Sequence, residues 1–156
     1  MLAPGLRVLL CGSAAGAVSA QRGLPYAGPG NKFWRILHES GLTPELLAPG
    51  RFEELAACGV GLTDLCKTAS GSDAQLPRDA DDVEGLRAKV ERHAPGVLAF
   101  VGKRAASVAL GRRVQFGPQP ERFGGAETWV LPSTSGLAAG FWDPAPWHAL
   151  AQRLAS

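Results

Sequence analysis

Short apolar runs alternate with amphipathic stretches and small-residue turns along this chain, a rhythm that predicts strands feeding into helices. Residues 6–11 read as a buried strand, because Val8, Leu9 and Leu10 follow one another with no polar position between them. Phe33, Trp34, Ile36 and Leu37 fall on one side of a helical period, with Asn31 placed to cap that helix and Gly41 to end it. Residues 45–57 give a second amphipathic helical pattern, residues 59–65 a strand, and residues 67–79 a polar loop. Residues 82–93 are helical by pattern. Val97 to Val101 is an apolar strand between Pro95-Gly96 and Gly102, and residues 103–110 return to helix. Arg113 to Phe116 reads as a short edge strand, Thr128 to Leu131 as a buried strand ending at Pro132, and Pro144 to Leu154 as the closing helix.

Strands alternating with helices are joined most simply as parallel strands with crossover helices. The expected fold is therefore α/β, a three-layer α/β/α sandwich around a central, mostly parallel sheet. The 156 residues suffice for one domain with a proper core, expected over residues 1–156, with neither internal repeats nor a linker to divide it. In such open sheets ligands bind beyond the carboxyl ends of the strands. Four loops lie there: Gly12–Pro29, Cys66–Pro77, Gly102–Lys103 and Pro132–Gly140.

Composition narrows the class of function without naming it. Hydrophobic residues make up 46% and charged ones 19%, which fits a globular protein rather than a disordered one. No stretch approaches the ~18 apolar residues of a membrane span, and the N-terminus lacks a signal-like pattern, so a cytoplasmic protein is expected. Cys11, Cys58 and Cys66 lack the paired spacing that gathers thiolates around a metal, and they read as buried free thiols. His38, His93 and His148 stand alone on helical patterns and read as surface or packing residues. A net charge of +2 does not identify a polyanion-binding protein, but its distribution is uneven. Lys103, Arg104, Arg112, Arg113 and Arg122 meet a single acid, Glu121, in a stretch that could face phosphates or simply solvent. Asp79, Asp81, Asp82 and Glu84 instead suit the N-terminus of the helix they precede.

The first loop carries neither a GxGxxG pattern nor a Walker lysine, and no GxSxG nucleophile elbow occurs. Its own sequence, Gly12-Ser13-Ala14-Ala15-Gly16, permits close backbone approach to a ligand and supplies no side-chain chemistry at Ala14 and Ala15. The last loop, Pro132-Ser133-Thr134-Ser135-Gly136-Leu137-Ala138, offers hydroxyls and then an apolar tip. These two loops, with Gly23-Leu24-Pro25-Tyr26-Ala27-Gly28-Pro29-Gly30-Asn31-Lys32-Phe33-Trp34 and Gly61-Leu62-Thr63-Asp64-Leu65, follow one another in an order that resembles the mismatch-specific uracil/thymine-DNA glycosylase family of the uracil-DNA glycosylase superfamily.

The resemblance implies hydrolysis of the bond between a damaged or mismatched base and its deoxyribose, without metal or cofactor, after the base has left the stack. It assigns Gly136, Leu137 and Ala138 to a wedge that enters the duplex, and Tyr26 to stacking on the extruded base. It assigns the backbone of Gly12, Ser13 and Tyr26 to the base's carbonyl edge, with Ala14 and Ser133 in the same pocket. Ser19, Lys67 and Lys103 are candidate phosphate contacts, as are Arg22 and Arg104. The expected partner is double-stranded DNA with a damaged or mismatched base, or single-stranded DNA, bound by a monomer and not by a membrane protein. Relatives commonly read Gly-Ile-Asn-Pro-Gly where this chain reads Gly-Ser-Ala-Ala-Gly, and they use the asparagine to place the attacking water. Ser133 likewise stands where relatives carry a second asparagine. A carboxylate could hold the water in place of Ala14, and Asp73 is the first candidate with Asp64 as the alternative. Two competing readings remain at this point: a lesion-binding protein that has lost catalysis, and a hydrolase of free nucleosides.

Overall fold

The computed structural model describes residues 2–13, 23–28, 30–65, 81–136, 140 and 142–156. Among the described residues, five strands form one sheet in the order β2-β1-β3-β5-β4: β1 (Val8–Gly12), β2 (Val60–Asp64), β3 (Val97–Val101), β4 (Gly117–Phe123) and β5 (Ala126–Leu131). The β2–β1, β1–β3 and β3–β5 pairs are parallel, and only β4 runs antiparallel at its edge. Because β1 continues to β2 on one side and is flanked by β3 on the other, the chain reverses direction across the sheet beside β1. Such a reversal opens a crevice at the carboxyl ends of the strands.

Both faces of the sheet are covered, which is why β1 and β3 are buried along their whole length. On one face Val8, Leu10, Val60 and Leu62 meet α1 (Phe33–Glu39), a 3-10 helix (Pro49–Cys58) and α4 (Ala145–Ala155). On the other, Leu9, Cys11, Leu98 and Phe100 meet α2 (Val83–His93) and α3 (Lys103–Leu110). The expected α/β sandwich is the observed one. Asp82 caps α2 by accepting from the Gly85 N–H at 2.8 Å, as the acids before that helix suggest. Asn31 acts one residue earlier than a regular cap, its side chain accepting from the Phe33 N–H at 3.0 Å.

Two expectations need correction. The helical pattern over residues 45–57 yields a 3-10 helix only from Pro49, because proline disfavours helical backbone in the residue before it, and Ala48 is extended at φ −93°, ψ 159°. The edge strand is not Arg113 to Phe116 but Gly117–Phe123. Gly117-Pro118-Gln119-Pro120 suggests a loop, yet an edge strand tolerates prolines on its unpaired side, and the register against β5 shifts between Pro118 and Arg122. Cys11 is buried as expected, whereas Cys58 is only half-buried, and Cys66 lies outside the described residues. Among the described residues, no helix is long and apolar enough to cross a membrane.

Candidate active site

The parallel register of β1 and β2 sets Gly12 directly opposite Asp64 at their carboxyl ends. Side chains alternate along a strand, so Asp64 projects from the face that carries Val60 and Leu62, the face covered by α1. From that same side Tyr26 arrives. Its ring lies flat on Phe33, with centroids 3.8 Å apart and planes 7° from parallel. Phe33 belongs to the buried side of α1, so the stack joins the first loop to the core.

The loop around Tyr26 is held at several points. The Trp34 indole N–H donates to the Pro25 carbonyl at 3.3 Å, and the Asn31 N–H donates to the Gly28 carbonyl at 3.2 Å. Tyr26 itself sits at φ 52°, a left-handed conformation uncommon outside glycine and costing of order 1–3 kcal/mol. The residue is thus placed against its local preference, with the stack and the neighbouring hydrogen bonds holding it there.

Gly12 is required for space rather than for its backbone angles. A Cβ built there would stand 3.0 Å from Asp64 Oδ1 and 3.2 Å from Tyr26 Oη, so the two oxygens converge on one point beside β1. Burial, then the charge of Asp64, then the nearby Cys11 raise the Tyr26 pKa well above its ordinary value of 10.0. The phenol is therefore a neutral donor at working pH. Its oxygen is shut off from solvent and has no hydrogen-bond partner among the described residues. A cleft of about 200 Å³ opens here, lined by Gly23, Pro25, Tyr26, Phe52, Leu62, Thr63 and Asp64. That is below the ~300–1,000 Å³ of drug-sized ligand sites and suits a single small planar group.

The other expected site residues divide by position. Gly12, Tyr26 and Asp64 are brought together, and Ser13 follows Gly12 at the end of β1. Ser133 is elsewhere: it follows β5, its Cβ is the nearest atom to a Cβ built on Gly102, at 3.7 Å, and it does not line this cleft. Three strand spacings, about 14 Å, separate the β5 end from that of β2. The last loop nevertheless touches the first, since the Lys32 N–H donates to the Thr134 carbonyl at 2.9 Å and Gly136 Cα lies 3.6 Å from a Cβ built on Gly30. Lys103 is exposed at the start of α3, its Nζ 4.6 Å from the centroid of the Phe116 ring. Arg104 is committed instead to a paired hydrogen bond with Asp81, at 3.1 and 2.9 Å. Ala14, Ser19, Arg22, Lys67, Asp73, Leu137 and Ala138 lie outside the described residues. The chain leaves β2 at Leu65 and returns where the Asp82 N–H donates to the Leu65 carbonyl at 3.1 Å, so the segment with Asp73 starts and ends next to the site.

Sequence reasoning missed Phe52 and Leu62 as lining residues and Phe33 as the support behind Tyr26, because all three sit in patterns that read as core. Among the described residues, no cluster of histidine, cysteine and carboxylate side chains could hold a metal ion.

The Uracil DNA glycosylase superfamily matches residues 1–152 of the chain. The protein belongs to that superfamily. Membership sets its general activity class, DNA glycosylase chemistry with DNA as the partner. The superfamily fold is also seen in the solution NMR structure of a Methanosarcina acetivorans protein provisionally assigned as a uracil DNA glycosylase. It matches at a TM-score of 0.66 and 22% identity, over 99% of this chain and 94% of that one. At that identity the likeness establishes the shared architecture.

Proposed function

We propose that this protein is a monofunctional DNA glycosylase of the mismatch-specific uracil/thymine type. It removes uracil from DNA after the base leaves the stack, with other deaminated or etheno-modified bases as further substrates, and so begins base excision repair. The observation that carries this reading is the cleft at the ends of β1 and β2, where the Tyr26 ring, backed by Phe33, faces a small space beside the Asp64 carboxylate.

Tyr26 presents the extruded base with a flat surface, and stacking of this kind is worth roughly 1–3 kcal/mol per base. Leu137, with Gly136 and Ala138, fills the gap left in the duplex and offsets an unstacking cost of a few kcal/mol. As the base departs, positive charge develops on the sugar. A carboxylate close to that carbon stabilises the charge and draws a proton from the attacking water. Two carboxylates meet that need, Asp73 and Asp64. Ser13, at the end of β1, contributes a polar group to the mouth of the site, while Ser19, Lys67 and Lys103 steady the backbone phosphates.

A duplex carrying one uracil, hypoxanthine, xanthine or ethenocytosine, incubated with excess enzyme, tests the proposal. The expected result is free base and an abasic strand from at least the uracil substrate. Tight binding of lesion DNA with no base released from any of the four refutes catalysis and favours the lesion-binding reading, which Ala14 motivates. Release from free deoxyuridine at the same rate as from DNA favours the nucleoside hydrolase.

A further inference from the structure

Lys32 touches the segment that carries the wedge on both of its sides. Its backbone N–H donates to the Thr134 carbonyl at 2.9 Å, before the wedge, and its Nζ lies 5.8 Å from the centroid of the Trp142 ring, after it. Gly30 approaches the same segment, since a Cβ built on it would touch Gly136 Cα at 3.6 Å. Residues 30–32 and 134–136 therefore run side by side, one residue short of Leu137.

The charge of Lys32 serves no purpose within the fold. Among the described residues no carboxylate pairs with it. The acid beside Trp142, Asp143, accepts instead from the Ala145 N–H at 3.0 Å, at the start of α4. Nor does α1 gain from a cation at its beginning, where helices favour negative charge. Trp142 packs against the core, and Lys32 is half-buried, as is usual for a lysine whose stem lies on an apolar surface while its ammonium stays in water. The stem has thus already given up part of the rotamer freedom that a free lysine would lose on binding.

An ammonium is a compact point charge that only donates, so its natural match is an anionic oxygen. Each strand of a duplex offers a phosphate about every 3.4 Å along the axis. A wedge that enters the stack brings the phosphates of its own step to the edge of the loop that carries it, and Lys32 stands on that edge. We propose that Lys32 binds a backbone phosphate next to the extruded nucleotide. The inference rests on the glycosylase reading above, in particular on the wedge, and adds a residue to its DNA-binding surface. Joined to both sides of the wedge segment and to a phosphate, Lys32 sets where along the strand the wedge enters. It chooses no base, because phosphate contacts fix register and orientation.

The test measures affinity, over a range of salt concentrations, for a duplex containing 2′-fluoro-2′-deoxyuridine, whose fluorine disfavours loss of the base. The same duplex is also prepared with one phosphate at a time near the lesion replaced by an uncharged methylphosphonate. Lys32→Gln removes the charge and keeps the backbone N–H that holds Thr134, so the variant is expected to unfold at the wild-type temperature. It should lower the slope of log affinity against log salt by about one, and Lys32→Arg should keep the wild-type slope. One methylphosphonate beside the lesion should weaken the wild type and leave Lys32→Gln unaffected, because the contact it removes is already missing. An unchanged slope in Lys32→Gln overturns the inference, including the case in which affinity falls equally at every salt concentration together with thermal stability, which would make Lys32 a structural residue. Equal sensitivity of wild type and Lys32→Gln to every methylphosphonate also overturns it. The glycosylase reading fails separately: a wild type that binds in this way but releases no base from uracil DNA loses the catalytic assignment and keeps the contact, whereas base release with an unchanged slope in Lys32→Gln does the reverse.

Discussion

Replacing Asp81 by alanine removes a contact whose strength can be worked out from its surroundings. Asp81 and Arg104 form two parallel hydrogen bonds, at 3.1 and 2.9 Å, and their side chains are 7% and 20% exposed. The pair links the start of α2 to α3, next to the point where the chain returns to β2. In Asp81→Ala the guanidinium remains largely buried with its main partner gone. Breaking a fully buried pair in this way costs roughly 3–5 kcal/mol, and the partial exposure of Arg104 lets water recover some of that, leaving about 2–3 kcal/mol. For a chain of this size each kcal/mol lowers Tm by about 2–4 °C, so a fall of about 4–12 °C is expected in thermal unfolding. The double variant Asp81→Ala/Arg104→Ala should be less destabilised than the sum of the single ones, because it strands no charge. A change of less than about 0.5 kcal/mol in Asp81→Ala, or strict additivity, refutes the reasoning. The same engagement predicts that Arg104→Ala leaves the salt dependence of DNA binding unchanged, since a guanidinium bound to Asp81 is not displacing counterions from phosphates.

Further predictions concern single residues of the site. Tyr26 is the chain's one tyrosine, so phenolate absorbance reports it directly. Its folded pKa is raised, so the stability it contributes is complete below 10.0 and is lost as pH climbs above that value; native protein should titrate well above 10.0, and a native titration at 10.0 contradicts the burial argument. Lys103→Ala should weaken DNA binding and lower the slope of log affinity against log salt by about one, as expected for one phosphate contact, and an unchanged slope assigns Lys103 only to its ring contact with Phe116. Leu137→Ala should slow uracil release from duplex more than from single-stranded DNA, where no stacked neighbour has to be replaced; equal slowing removes the wedge role.

How far the sequence revealed this architecture varies with the kind of signal. Val8 to Cys11 and Val97 to Val101 are apolar throughout, a pattern that a strand buried on both faces requires, and both strands are where the pattern puts them. Phe33, Trp34, Ile36 and Leu37 likewise bury the side of α1 that their spacing marks. The errors fall at prolines. Pro49 delays a helix that periodicity alone would start at residue 45, and Pro118 and Pro120 disguise an edge strand that uses only one of its hydrogen-bonding sides.

The site was legible in part. Tyr26 and Gly12 stand out in the sequence because a lone tyrosine lies between turn residues and a glycine ends a strand. Their convergence with Asp64 depends on the parallel register of β1 and β2, which no local pattern encodes. Ser133 illustrates the reverse case. It shares the carboxyl edge of the sheet with the cleft, but strand order sets it three strands from Asp64, and strand order comes from tertiary packing. The Asp81–Arg104 pair spans residues distant in sequence, so Arg104 read as a surface cation until its partner was visible.

The most direct test of the central claim is a crystal structure of the protein bound to a duplex carrying 2′-fluoro-2′-deoxyuridine. The account predicts that the uracil is turned out of the helix and lies on the Tyr26 ring, with Asp64 or Asp73 beside C1′. A uracil still stacked in the duplex, or one seated away from the ends of β1 and β2, contradicts it.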